Sequence, residues 1–277
     1  MAMGENWMEC VSRAENRLRE QEALLRTLLG AERDAPVFWL GETDSTNRQL
    51  RLLADAGAPA GTVLLSHGQS AGRGRLGRSF VSPAGKGLYL SVLLRPDLPP
   101  EDFGQLTPRA ALAVRRALEA VCGLRPEVKW VNDLLCRGRK LCGILTEGVF
   151  RPGAPAAAVL GVGLNVSAMP GDFPSELRET VTSVLLETGK APGQAALAAA
   201  VIRELGALAA LSDGEADYGE YRAACVTLGR RVRLSDGTEG VAADVDRDYC
   251  LLVRLPDGTL RPVRSGEAVF IDRAAPR

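Results

Sequence analysis

Between two short apolar runs, 62–66 and 88–94, stand twenty-one residues that suit neither strand nor helix: HGQSAGRGRLGRSFVSPAGKG. The flanking runs have the length and texture of strands. The chain must therefore build a sheet that tolerates a long excursion between two of its strands, and such loops in compact domains are uncommon and usually functional. Gly68, Gly72, Gly74, Gly77, Gly85 and Gly87 let the backbone approach a ligand and present its N–H groups, while Arg73, Arg75, Arg78 and Lys86 supply fixed positive charge. Guanidinium forks match carboxylate and phosphate oxygens, so the stretch suits an anionic ligand, in particular a phosphate or a mixed anhydride.

Residues 72–77 also fit G-x-G-x-x-G. A dinucleotide-binding fold would open a helix at the third glycine, whereas here Pro83, Gly85 and a new strand follow. No H-R-D or D-F-G triplet supports a kinase, and no Gly-Lys-Ser/Thr supports a Walker A loop.

Further strands are expected at 37–40, 127–131, 141–147 and 157–166. Helices are expected at 7–29 with Gly30 as C-cap, at 47–56 after the cap candidates Asp44 and Ser45, at 107–122, and over the Ala-rich 193–211. In the third, Thr107 reads as N-cap, Pro108 as the first helical residue and Gly123 as the stop. Strands with interspersed helices indicate an α+β domain on a mixed or antiparallel sheet. After Cys225 the texture changes to short strands at 228–235, 239–245, 249–255 and 259–264. These are separated by turns at Ser235-Asp236-Gly237, Asp246-Arg247-Asp248 and Pro256-Asp257-Gly258, as in a small β-barrel. Three regions follow: 1–35, an amphipathic helix and linker; 36–225, the α+β domain; 226–277, the small β domain.

The 34 basic and 34 acidic residues cancel, which leaves no global footprint for nucleic acid or an anionic membrane. No apolar run nears the ~20 residues that span a bilayer and no signal-peptide core is present, so a soluble cytoplasmic protein is expected. The six cysteines form no C-x-x-C pair and His67 is the single histidine, so the ligands of a usual zinc site are lacking. The thiols read as reduced, packed side chains.

Beyond the loop, the chain carries Thr43-Asp44-Ser45-Thr46-Asn47, then Gln69-x-x-Gly72-Arg73-Gly74-Arg75-x-Gly77-Arg78, Ser82-Pro83 and Gly87-Leu88-Tyr89-Leu90-Ser91. Further on come Lys129-Trp130-x-Asn132-Asp133-Leu134, Arg139-Lys140-Leu141-x-Gly143-Ile144-Leu145-x-Glu147 and Gly161-x-Gly163-x-Asn165-Val166. In this order the blocks resemble the catalytic domain of the biotin–protein ligases, and the 227–272 region resembles that family's C-terminal SH3-like module. The resemblance implies an ATP-dependent ligase with a mixed-sheet catalytic domain and an SH3-like barrel. Its substrate would be biotin, activated to biotinyl-5′-AMP and passed to a lysine of the biotin carboxyl carrier domain of acetyl-CoA carboxylase or a related carboxylase. Mg²⁺ would accompany the ATP phosphates, with no protein ligand assigned. The stretch before Val37 reads as one helix, too little for a helix-turn-helix, so the form without a DNA-binding domain and no DNA partner are expected. A homodimer is allowed.

Residue roles follow the same resemblance. Ser45, Thr46 and Asn47 would bond the ureido end of biotin, with Gln69 reaching the same ring system and Gly143 near it. Arg73, Gly74 and Arg75 would close over the carboxylate and α-phosphate, Arg75 retaining the adenylate. Lys140 would neutralise the reacting carboxylate and phosphate. Asn132 and Asp133 would position either the phosphates or the incoming amine, Asp133 serving as acid in the second case. Asn165 would face the adenosine, with Gly163 leaving room for the nucleotide, and Trp130 would either wall the biotin pocket or serve as plain core. Two departures stand out: Phe80 where the family has a tryptophan over the adenine, and Val131 where it has a proline.

Overall fold

In the computed structural model residues 7–30, 34–150, 156–208 and 214–272 are described, with side chains from residue 18 onward. The elements run α1 (Trp7–Leu29), β1 (Val37–Thr43), α2 (Thr46–Asp55), β2 (Val63–Gln69), β3 (Gly87–Leu94), α3 (Leu106–Cys122), β4 (Glu127–Lys129), β5 (Asp133–Cys136), β6 (Arg139–Val149) and β7 (Ala157–Asn165). They continue with α4 (Val184–Thr188), α5 (Gln194–Ala207), α6 (Gly214–Ala224), β8 (Arg231–Leu234), β9 (Glu239–Val245), β10 (Leu251–Arg254), β11 (Leu260–Val263) and β12 (Ala268–Phe270).

β1 to β7 form a seven-stranded sheet in the order β1-β2-β3-β7-β6-β5-β4, in which β1 and β2 are parallel and the other neighbours antiparallel. Strand side chains alternate between faces, and the sequence uses that period twice over. Leu88, Leu90 and Val92 of β3 and Leu160, Val162 and Leu164 of β7 join one buried cluster with α3 and α5. On the opposite face Leu64, Leu93 and Val159 pack with Leu50 of α2. Each fully buried side chain of this size contributes about 1.5–3 kcal/mol, so the two clusters outweigh any local helix preference in fixing α2, α3 and α5.

The α2 face changes character along the strands. β7 reads Val159, Gly161, Gly163 there, and β3 reads Leu93 then Ser91, so the apolar seat of α2 gives way to a small and polar floor. That floor is where the site lies. Ser45 caps α2 with an extended backbone, its side chain accepting from the N–H of Arg48, as expected from sequence.

β8 to β12 form a second, five-stranded antiparallel sheet, order β11-β10-β9-β8-β12, consistent with an SH3-like module. It is braced on the large sheet. Trp130 Nε1 donates to Tyr249 O at 2.9 Å, Trp130 N donates to Thr227 Oγ1 at 2.9 Å, and Lys129 and Arg230 both lie over the ring of Phe270. α1 packs on the body: Leu25 is buried, Arg26 donates to Val37 O, and Gln21 accepts from Ala195 N. Of its expected apolar stripe, the side chains of Trp7, Val11 and Ala14 lie outside the described residues, as do Cys10 and the helix extension at 209–211.

Several expectations are corrected. Thr107 does not cap α3: the helix continues from a 3-10 turn at Pro100–Gln105, residue 105 is already helical, and Thr107 Oγ1 donates to Thr146. Gly123 does end it, in a left-handed conformation with φ 66°. Asp133 opens the strand β5, which was not among the expected strands. α4, α6 and β12 were not foreseen. Of the two readings for Trp130 the structure has the core one: it is buried beneath the small sheet.

Candidate active site

The 67–87 stretch is a flap folded back on itself. Gln69 bridges Ser82 and Arg73 bridges Ser79. Phe80 N donates to Gly72 O at 2.9 Å, and Gly74 N donates to Arg78 O at 2.7 Å. Gly72 is obligatory here, since a Cβ would stand 2.3 Å from Phe80 O. Between flap, α2 N-terminus and sheet floor opens a cleft of about 620 Å³, counting the solvent at its mouth.

Ser45, Thr46, Asn47, Gln69, Arg73, Gly74, Arg75, Phe80, Asn132, Lys140 and Gly143 all line it. At its polar end the amides are already engaged. Asn47 Nδ2 donates to Glu147 Oε2 at 2.8 Å, and Asn47 Oδ1 stands 2.6 Å from Ser91 Oγ. Gln69 Oε1 accepts from Thr46 N and Thr46 Oγ1, and its Nε2 donates to Ser82. Gln69 thus fixes Thr46 rather than standing free for a ring. Glu147 also pairs with Arg73 at 3.2 Å, tying the flap to β6. Glu147, Ser91 and Gly161 stand within the sequence motifs, and their tasks become visible only in the fold. Gly161 is required because a Cβ there would lie 2.1 Å from Asn47 Oδ1.

At the cationic end, Lys140 Nζ and Asp133 Oδ1 are 2.8 Å apart, and Arg75 Nη1 donates to Asn132 Oδ1 at 3.1 Å. Burial pulls the Arg75 guanidinium below its ordinary value, with Asp133 and Glu267 acting against it; an arginine remains cationic at neutral pH. Lys140 is held by its own backbone: its N–H donates to Thr180 O and its C=O accepts from Thr182 N, both at 2.8 Å. Thr182 and Arg139 in turn bond Glu187, whose side chain is 2% exposed.

Phe80 lies in the cleft with Lys140 Nζ 6.0 Å from its ring centroid, close against Gly163 and Gly143. A Cβ on Gly163 would meet that ring at 2.6 Å, so Gly163 makes room for Phe80 and not directly for a nucleotide. Asn165 is outside the lining: it is buried and its Nδ2 donates to Thr182 O at 2.9 Å. His67 packs against Gly85, away from the cleft.

A mixed sheet with a glycine floor, a polar pocket at one end and an arginine–lysine cluster at the other makes a cleft that suits a ligand with a polar head and an anionic end. Comparison with known proteins agrees. Residues 40–165 match the model of the Biotin/lipoate A/B protein ligase family. The bifunctional ligase/repressor of Bacillus subtilis is 40% identical over 146 residues, 53% of this chain and 45% of that protein, so the chain spans about half the length of that relative. The biotin–[acetyl-CoA-carboxylase] ligase of Mycobacterium tuberculosis is 38% identical over 243 residues, covering 84% of this chain and 88% of that one. The solved biotin protein ligase of Aquifex aeolicus in complex with biotin and ATP superposes with TM-score 0.71 at 27% identity, over 84% of this chain and 97% of that chain. The chain belongs to the biotin/lipoate A/B protein ligase family.

Proposed function

We propose that this chain is a biotin–protein ligase, that residues 36–225 are its catalytic domain and 226–277 an accessory β domain, and that it acts in the cytoplasm. The observation carrying the reading is the convergence of Arg73, Arg75 and Lys140 with the amide network of Asn47 and Gln69 on one cleft.

In the first step a carboxylate oxygen of biotin attacks the α-phosphorus of ATP. The new P–O bond forms as the α–β anhydride breaks, and pyrophosphate leaves. Two anions must meet, so cations that offset their repulsion and hold the charge on the transferring phosphorus lower the barrier. Lys140 and Arg75 take that task, Lys140 exchanging Asp133 for the ligand anion. The polar end built on Thr46 and Asn47 holds the ureido ring. Phe80 offers a face for the adenine. In the second step the acceptor lysine amine attacks the acyl carbon, the C–O bond to phosphate breaks, and AMP and a proton leave. Asp133, a carboxylate beside Lys140, would take that proton as a base, in place of the acid role that the resemblance implied. Among the described residues no three His, Cys, Asp or Glu side chains converge to hold a metal. Mg²⁺ in this reading arrives as the counter-ion of ATP, on phosphate oxygens.

The test is transfer. Incubated with biotin, ATP, Mg²⁺ and a purified biotin carboxyl carrier domain, the protein should add one biotinyl group to a single lysine, read by peptide mass spectrometry. Adenylation with no acceptor labelled would remove the carrier-domain part of the reading.

A further inference from the structure

The flap sends its arginines in two directions. Arg75, in the short 3-10 turn at Arg75–Gly77, reaches inward to Asn132. Arg78, on the returning limb, reaches outward to the second sheet. Its Nη1 and Nη2 donate to Glu267 Oε1 and Oε2 at 2.8 and 2.5 Å, a fork-on-fork pair. Arg78 O is also the acceptor of Gly74 N, so the residue that grips Glu267 shares a turn with the inward-facing arginine. Glu267 is set from its own side: its N–H donates to Ser235 Oγ at 2.9 Å, and the next residue starts β12. The small sheet itself is anchored elsewhere, through Trp130–Tyr249, Thr227 and the Phe270 stack. Glu267 thus ties the returning limb of the flap to the second sheet.

We propose that the Arg78–Glu267 pair is a latch by which the five-stranded sheet holds the flap shut over the cleft, and so sets how long the activated acyl-adenylate is retained. Both are positioning residues, acting through the flap on Arg75. The retention part rests on the ligase reading; the latch itself does not. An exposed ion pair is worth about 1 kcal/mol or less, which caps the effect at roughly fivefold. That is enough to tune retention without being needed for chemistry.

Two measurements test this. Biotinyl-adenylate formed on the enzyme is chased and its escape timed for wild type, Arg78→Glu, Glu267→Arg and the double swap. Each single variant should release it about fivefold faster at unchanged thermal stability, and the swap should recover to within about twofold. Singles that hold the adenylate as wild type does, or a folded swap with no recovery, would overturn the latch. Limited trypsin digestion of the unliganded protein gives an independent arm, since Glu267→Gln leaves every tryptic site intact. Cleavage within the flap should quicken; an unchanged rate refutes the latch. If wild type makes no adenylate yet the digestion quickens, the latch stands and the ligase reading fails.

Discussion

Lys140 and Gly161 show how single atoms decide this site. Lys140 is an ammonium on a strand whose main chain is clamped on both sides by residues 180–182, so its direction is set before any ligand arrives. Lys140→Ala should abolish adenylation, a loss of at least about 10²–10³-fold in pyrophosphate release; a variant within tenfold of wild type would remove Lys140 from the chemistry. Arg75→Gly should instead let the adenylate escape and label bystander lysines. Acceptor mass maps would show this, and labelling still confined to one lysine would deny Arg75 the retaining role. Gly161→Ala would put a methyl into the Asn47 amide, so biotin affinity measured by calorimetry should collapse while the fold persists. The motif residues were legible through their resemblance to the ligase blocks, and the loop arginines also through the anion that a guanidinium fork suits. Glu187 and the task of Glu147 could not be read there, since they lie in bonds to Asn47, Arg73, Arg139 and Thr182 that sequence does not display.

At the scale of elements, short continuous apolar runs made the central strands legible, and the Ser45 cap made α2 legible. Short pieces escaped. β5 and β12 have four and three residues, too few for a period to register. The start of α3 was misplaced because the preceding 3-10 turn had already set the helical backbone, leaving Thr107 nothing to cap. Ser45→Ala should cost about 1 kcal/mol in chemical denaturation. Removal of residues 1–30 takes away buried Leu25 and the Arg26 bond to Val37; it should lower the melting temperature while adenylation persists. An unaltered melting temperature would mean that α1 is not packed on the body.

Across the whole molecule, the sequence marked a change of texture near Cys225 but could not show that the second sheet braces the Lys129–Asp133 block through Trp130. Those contacts join residues 97 and 119 positions apart. Acid should loosen the small sheet. Its bonds to Arg230 hold Asp272 at about 2, and the Thr238 N–H and Arg261 hold Asp236 at about 2, both below the ordinary 3.8. A depressed carboxylate lends stability that is present above its unfolded value and is lost as pH falls through the folded one. The loss should therefore run from about pH 4 down to about 2. Asp272→Asn should flatten it in an acid titration followed by circular dichroism, and an unchanged profile would discount the pair.

The central claim is that one cleft brings biotin's carboxylate onto the α-phosphate of ATP. Its most direct test is pyrophosphate release from ATP and Mg²⁺, measured with and without biotin and in the absence of any acceptor. The account predicts a burst that requires biotin and is lost in Lys140→Ala. Release that ignores biotin, or none at all from the folded wild-type protein, would contradict it.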